Sequence, residues 1–117
     1  KNTRLVTVNC DGSDMYNLSD DVFVSHCYWK NDNEILSFLR KKETGDHYYL
    51  MKDKTQEYKM FWDELNTDGH CSYSPDGNLI ITDTYPNRKR LANVFVCKVG
   101  MLSVLQVYLH HLDMIMM

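Results

Sequence analysis

The feature that most constrains the fold of this chain is an internal repeat. The segment from His26 to Leu36 aligns without a gap with the segment from His70 to Ile80, at an offset of 44 residues. In each copy a short segment that ends in an aromatic residue is followed by a turn-forming stretch and then by a β-branched apolar segment. The turns are Asn31-Asp32-Asn33 and Ser74-Pro75-Asp76-Gly77, in which Pro and Gly supply the φ values of a tight turn. Each copy therefore predicts a β-hairpin.

Further apolar segments follow each hairpin, so that one repeat holds up to four short strands. A period of about 40–45 residues is the length of one four-stranded propeller blade. The sequence thus predicts an all-β chain built of antiparallel four-stranded β-meander blades of a partial β-propeller, with no long helix before residue 100; a small antiparallel sandwich or barrel is the alternative. The expected strands lie near residues 3–9, 14–18, 25–30, 34–40, 47–53, 57–62, 70–74, 78–85 and 92–98.

These strands divide the chain into parts that we expect to form one structural unit. Residues 1–24 form the end of a preceding blade, 25–64 the first blade, 65–109 the second blade and 110–117 an apolar tail. The segment from residue 101 onward has no Lys, Arg, Gly or Pro. Two interpretations of it stay open: a fourth strand at 102–109, or a truncation or reading-frame change that replaced the natural continuation.

The charge and cysteine content narrow the partners and the compartment. A net charge of −3 with interleaved Lys, Arg, Asp and Glu makes nucleic acid an unexpected partner. No apolar run reaches the ~20 residues of a membrane span. The four cysteines are widely spaced, which favours small buried free thiols, with disulfides of a secreted or periplasmic chain as the alternative. Localisation in the cytoplasm or the periplasm is left open.

The residues from Gly69 to Asp83, with Ser-Pro-Asp-Gly at their centre, resemble the H-x-x-W/Y-S-P-D-G-x-x-I repeat of WD40-like propellers such as oligogalacturonate lyase and related bacterial proteins. The resemblance covers Ser25 to about Val99, and Cys follows both repeat histidines where that family has Pro. It implies a fragment of a carbohydrate-active propeller, lyase-like or polysaccharide-associated and inactive in isolation. The full-length parent would cleave a uronate oligosaccharide by β-elimination with a divalent metal such as Mn, and no cofactor is expected in the fragment. A non-catalytic scaffold for protein–protein interaction is the alternative.

Two groups of candidate site residues follow. His26 and His70 occupy equivalent repeat positions at the entry of a strand that lines a propeller channel, where two imidazoles could share a ligand or metal; otherwise each satisfies a turn carbonyl. Tyr85 with Arg88 and Arg90 could bind a uronate by stacking and charge-assisted hydrogen bonds, unless this loop is simply a solvated hairpin connection.

Two further expectations concern apolar surface. Tyr28, Trp29, Tyr48, Tyr49, Phe61 and Trp62 are numerous enough for a carbohydrate platform, but sheets need such residues inside, so we predict that most belong to the core. A propeller cut to about two blades leaves apolar faces uncovered, which predicts a homodimer through exposed blade faces or edges.

Overall fold

The computed structural model describes residues 2–20, 22–99 and 104–110. Within these residues the chain is all-β, with ten strands and no helix, as the repeat predicts. None of the described segments is a helix long and apolar enough to cross a membrane. The strands are β1 (Leu5–Thr7), β2 (Tyr16–Ser19), β3 (Val24–Trp29), β4 (Glu34–Lys41), β5 (Gly45–Lys52), β6 (Tyr58–Trp62), β7 (Ser72–Tyr73), β8 (Leu79–Asp83), β9 (Leu91–Lys98) and β10 (Val104–His110).

The strands form three antiparallel sheets in two compact units, which divide after Thr67. The first unit contains the hairpin β1-β2 and a sheet in the order β3-β4-β5-β6, so this sheet is a meander in chain order. The second contains a sheet in the order β10-β9-β8-β7. Strand β10 overlaps residues 102–109, for which a fourth strand was one of the two interpretations. The predicted apolar tail lies outside the described residues from residue 111 onward.

Each of the nine predicted strands overlaps an observed one, but β1 is much shorter than the predicted 3–9 and β7 is much shorter than the predicted 70–74. The amide of His70 donates to the Asp83 carboxylate at 2.7 Å. Because a ladder requires main-chain partners, the pairing begins only at Ser72, which lies opposite Ile81.

The Ser-Pro-Asp-Gly turn has the geometry that its residues predict. Gly77 has φ +74° and its amide donates to the Ser74 carbonyl at 2.9 Å, which closes the turn. One oxygen of Asp76 accepts from the Ser74 hydroxyl at 2.6 Å and from the Asn78 amide at 2.9 Å. These hydrogen bonds hold the pKa of Asp76 below its ordinary value, the one from Ser74 most strongly. The carboxylate is therefore part of the turn.

The core of the first unit lies between the β1-β2 hairpin and the four-stranded sheet. Val24, Leu39 and Tyr49 are buried there, together with residues of the hairpin and of β4 and β5: Leu5, Leu18, Ile35 and Met51. The other face of the sheet is buried as well, since Leu36, Phe38 and Tyr48 are at most 2% exposed. Phe38 and Tyr48 meet edge to face, with ring centroids 5.1 Å apart.

In the second unit the two faces of the sheet differ in burial. Tyr73, Ile80 and Cys97 lie opposite one another in the register and are buried. Leu79 and Ile81 point to the other face and are 39% and 48% exposed. Exposed apolar side chains are therefore present on β8.

All four cysteines are free thiols. Cys71 and Cys97 are buried, as predicted for small core residues, whereas Cys10 and Cys27 are exposed. The prediction of buried thiols is therefore wrong for the latter two. Cys10 lies in the loop after β1, and Cys27 follows an irregularity in the pairing of β3 with β4.

Candidate ligand-binding cleft

An open cleft of about 570 Å³ lies in the first unit where the ends of three segments meet. These segments are the end of β1 with its following loop, the β3–β4 turn and the β5–β6 turn. Its volume is within the range of small-molecule sites. The cleft is lined by residues 7–10, Trp29, Asn31, Asp32, Asp53 and Lys54.

Trp29 supplies the aromatic surface of this cleft and is 48% exposed. It pairs with Ile35, so both side chains point to the core face of the sheet. Trp29 is also the last residue of β3, and its indole therefore extends past the packed region. Of the six aromatic residues predicted mostly for the core, Tyr48, Tyr49 and Trp62 are buried, Phe61 is half-buried, and Tyr28 and Trp29 are exposed. The prediction is therefore confirmed for three of the six.

The repeat makes the exposure of Trp29 conspicuous. Its equivalent in the second copy is Tyr73, which is 8% exposed. The equivalent of Asp32 is Asp76, whose carboxylate is held within its turn. Trp29 and Asp32 thus occupy positions that the other copy uses for the core and the turn.

Asn31 explains how Asp32 is released from the turn. The Asn31 side-chain oxygen accepts from the amides of Asn33 and Glu34 at 2.8 and 2.9 Å, and its amide group donates to the Glu34 carboxylate at 3.0 Å. This hydrogen bond from Asn31 is the main reason that the pKa of Glu34 lies below its ordinary value. Asp32 is exposed, and its carboxylate makes no hydrogen bond or ion pair with the residues that the structure describes.

Asp53 and Lys54 form the opposite wall. One Asp53 oxygen accepts from the Thr7 hydroxyl at 2.6 Å and from the Lys54 amide at 2.8 Å, which fastens the β1-β2 hairpin to the β5–β6 turn. The Lys54 ammonium donates to the Asp14 carbonyl and lies 3.6 Å from the Asp14 carboxylate. The cleft therefore has a fixed wall whose cation already has an anionic neighbour.

The structure places His70 in a separate cluster of the second unit. The His70 Nδ1 lies 2.9 and 3.1 Å from the two Asp83 oxygens, and its ring centroid lies 5.5 Å from that of Tyr85. His70, Asp83 and Tyr85 are thus brought together. Asp83 was not among the predicted site residues because the equivalent position in the first copy is Leu39, so that the repeat gives no signal for it.

His26 belongs to the first unit and has different neighbours. Its Nδ1 lies 3.0 Å from the Ser25 hydroxyl, and its carbonyl accepts from the Ser37 hydroxyl at 3.1 Å. No group of three or more His, Cys, Asp or Glu side chains within the described ranges is arranged to hold a metal ion. The pairing of His26 with His70 on one ligand or metal stays a prediction.

Arg88 and Arg90 lie in an exposed loop between β8 and β9. The Asn87 side-chain oxygen accepts from the amides of Lys89 and Leu91 at 2.8 and 3.2 Å, and Arg90 has φ +62°. The loop therefore contains a turn that the Asn87 side chain stabilises by hydrogen bonds. Tyr85, which is 53% exposed, contacts the His70 ring at its base.

Comparisons with protein-family models, curated proteins and solved structures give no significant match to this chain. The assignment of a candidate site therefore depends on the geometry alone.

Proposed function

We propose that this chain is a carbohydrate-binding part of a β-propeller protein, and that the Trp29 cleft is its binding site. The exposed indole beside the Asp32 carboxylate, which has no partner among the described residues, is the observation that carries the proposal. A sugar ring has apolar C–H faces and polar hydroxyl edges, so it matches an aromatic face flanked by hydrogen-bonding side chains. The Asp32 carboxylate is available to accept hydrogen bonds from hydroxyl groups.

The architecture of the first unit supports the proposal that the chain is part of a β-propeller. Its four-stranded sheet is a meander in chain order and carries buried residues on both faces. A blade in a ring is covered on both faces by its neighbours, and this pattern is what such a position requires.

The proposed role is binding, not cleavage. Glycoside hydrolysis by the usual route needs two carboxyl groups, one on each side of the scissile bond. In this cleft the Asp53 carboxylate accepts from the Thr7 hydroxyl and the Lys54 amide and so holds the wall together, whereas Asp32 has no hydrogen bond or ion pair with the described residues. Three further proposals depend on the family resemblance. They are a uronate ligand at the loop with Tyr85, Arg88 and Arg90, a metal in the full-length parent, and a homodimer.

Tryptophan fluorescence offers a direct test because the chain has two Trp residues and only Trp29 is exposed. In a Trp62→Phe background, Trp29 is the sole tryptophan, and its emission can be excited selectively over that of the tyrosines. A saturating oligosaccharide should reduce iodide quenching of its emission. Trp29→Ala, assayed by calorimetry in the wild-type background, should weaken binding by about tenfold, the scale of one aromatic stacking contact.

Tyr28→Ala is the matched control. Tyr28 is the adjacent residue of β3, is 42% exposed and does not line the cleft. Its substitution should leave the affinity unchanged. Equal affinity of Trp29→Ala and the wild type, or no saturable binding of any oligosaccharide at millimolar concentration, would refute the proposal.

A further inference from the structure

The charged side chains that line the cleft are two carboxylates and one ammonium group, those of Asp32, Asp53 and Lys54. Their effect on a ligand depends on which charges are already compensated. Lys54 is compensated, since its ammonium lies 3.6 Å from the Asp14 carboxylate outside the cleft lining. It also lies over the Tyr16 ring, 5.9 Å from the centroid.

The carboxylates are compensated to a smaller extent. Asp53 accepts two hydrogen bonds on one oxygen, and both donors, the Thr7 hydroxyl and the Lys54 amide, are uncharged. Asp32 has no cationic neighbour among the described residues: Lys30, the closest cation in sequence, lies 3.6 Å from the carboxylate of Glu34. The cleft thus presents a net negative charge beside the exposed indole.

We infer, on the basis of the proposed function, that this cleft selects carbohydrates by charge and prefers sugars that carry an ammonium group over uronates. The ammonium of an amino sugar would donate to Asp32 while its ring stacks on Trp29. A uronate carboxylate in the same position would be repelled by Asp32 and Asp53. This preference is opposite to that of the loop with Tyr85, Arg88 and Arg90, where the charged side chains are cationic.

The test compares three tetrasaccharides that differ in charge: glucosamine oligomers, their neutral N-acetylated counterparts and oligogalacturonate. Affinities are measured by calorimetry at slightly acidic pH, where the sugar amines are protonated. An exposed ion pair changes an affinity by up to about fivefold, so attraction of one ligand and repulsion of the other predict a ratio of about tenfold between the glucosamine and galacturonate oligomers. Added salt should reduce this ratio, because it screens exposed charges.

Asp32→Asn should reduce the ratio to about threefold, since it removes one of the two carboxylates that line the cleft. Asp63→Asn is the matched control: Asp63 is exposed, follows β6 and lies outside the cleft lining, and its substitution should leave the ratio unchanged. Oligogalacturonate binding as tightly as the glucosamine oligomer, or an equal effect of the two substitutions, would overturn the preference alone. Absence of binding by all three oligomers would overturn the proposed function and the preference with it.

Discussion

Gly69→Ala is the substitution whose effect the structure defines most clearly. A Cβ atom on Gly69 would overlap the main-chain oxygen of Asp83 and lie 2.7 Å from its carbonyl carbon and 2.9 Å from its Oδ1. All three atoms belong to one residue at the end of β8, whose carboxylate also accepts from the His70 amide. Relief of the overlap therefore requires the main chain of Asp83 to move.

The expected cost has two parts. Steric overpacking against a backbone that has to shift costs about 1–3 kcal/mol. Displacement of the hydrogen bond from the His70 amide to Asp83 adds about 1 kcal/mol. We therefore expect Gly69→Ala to lower the free energy of unfolding by about 2–4 kcal/mol.

Gly77→Ala is the control within the same unit. Gly77 has φ +74° and open space around the position of a Cβ atom, so it tests the conformational cost without steric overlap. That cost is about 1–2 kcal/mol. A larger effect at Gly69 than at Gly77 is therefore the prediction that separates overlap from conformation.

Urea denaturation followed by far-UV circular dichroism measures both variants. Peptide-level hydrogen exchange localises the effect to strands β7–β9. Trp29 and Trp62 lie in the first unit, and their fluorescence reports that unit separately in the same titration. Destabilisation by Gly69→Ala that is smaller than that by Gly77→Ala, or below about 0.5 kcal/mol, the range of ordinary surface substitutions, would refute the reasoning.

Two further predictions concern titratable groups. Burial raises the pKa of Cys97 to about 11, desolvation also raises the pKa of Cys27, and Cys71 is buried. A thiol reagent at mildly alkaline pH should therefore modify Cys10 first, Cys27 more slowly, and Cys71 and Cys97 only after denaturation; rapid reaction of all four would contradict this. The Arg40 guanidinium donates to both Asp46 oxygens at 2.6 and 3.0 Å and holds the pKa of Asp46 below its ordinary value. The pair therefore stabilises the fold at pH values above the pKa that Asp46 has in the unfolded chain. This stabilisation is lost as the pH falls through the pKa that Asp46 has in the folded chain. Asp46→Asn should therefore flatten the acid limb of the stability curve measured by urea titration, and an unchanged limb would show that the pair contributes nothing.

Hydrophobic pattern and turn chemistry predicted the strands well because both are local. Ser74 to Gly77 form the expected turn, and alternating burial follows the apolar residues of β8. The boundaries that failed depend on contacts distant in sequence. The start of β7 is set by Asp83, which lies 13 residues after His70 and captures its amide.

The candidate cleft was harder to predict from the sequence than the strands. The sequence identified Trp29 only as one of several aromatic residues, because exposure is set by where the neighbouring elements end. The hydrogen bond between Thr7 and Asp53 that builds one wall joins residues 46 positions apart, and no repeat signal marks it. Asp32 was recognised as a turn residue, yet its release depends on Asn31 taking over the hydrogen bonds of the turn.

The two copies of the repeat provide an internal comparison that favours a function for the first. Tyr73 shows that an aromatic residue at this position can be buried, whereas Trp29 remains half exposed. Burial of the exposed half of an indole would contribute roughly 2 kcal/mol, so the fold forgoes this amount at Trp29. The neighbouring turn differs in the same direction, because Asp76 is held by Ser74 and Asn78 while Asp32 is left without a described partner. Trp29 and Asp32 thus both differ from their equivalents in the second copy, one in an apolar and one in a polar contact. Both differences lower the stability of the free chain, and both residues line the same cleft. A ligand with an apolar face and a polar edge would recover both contributions on binding.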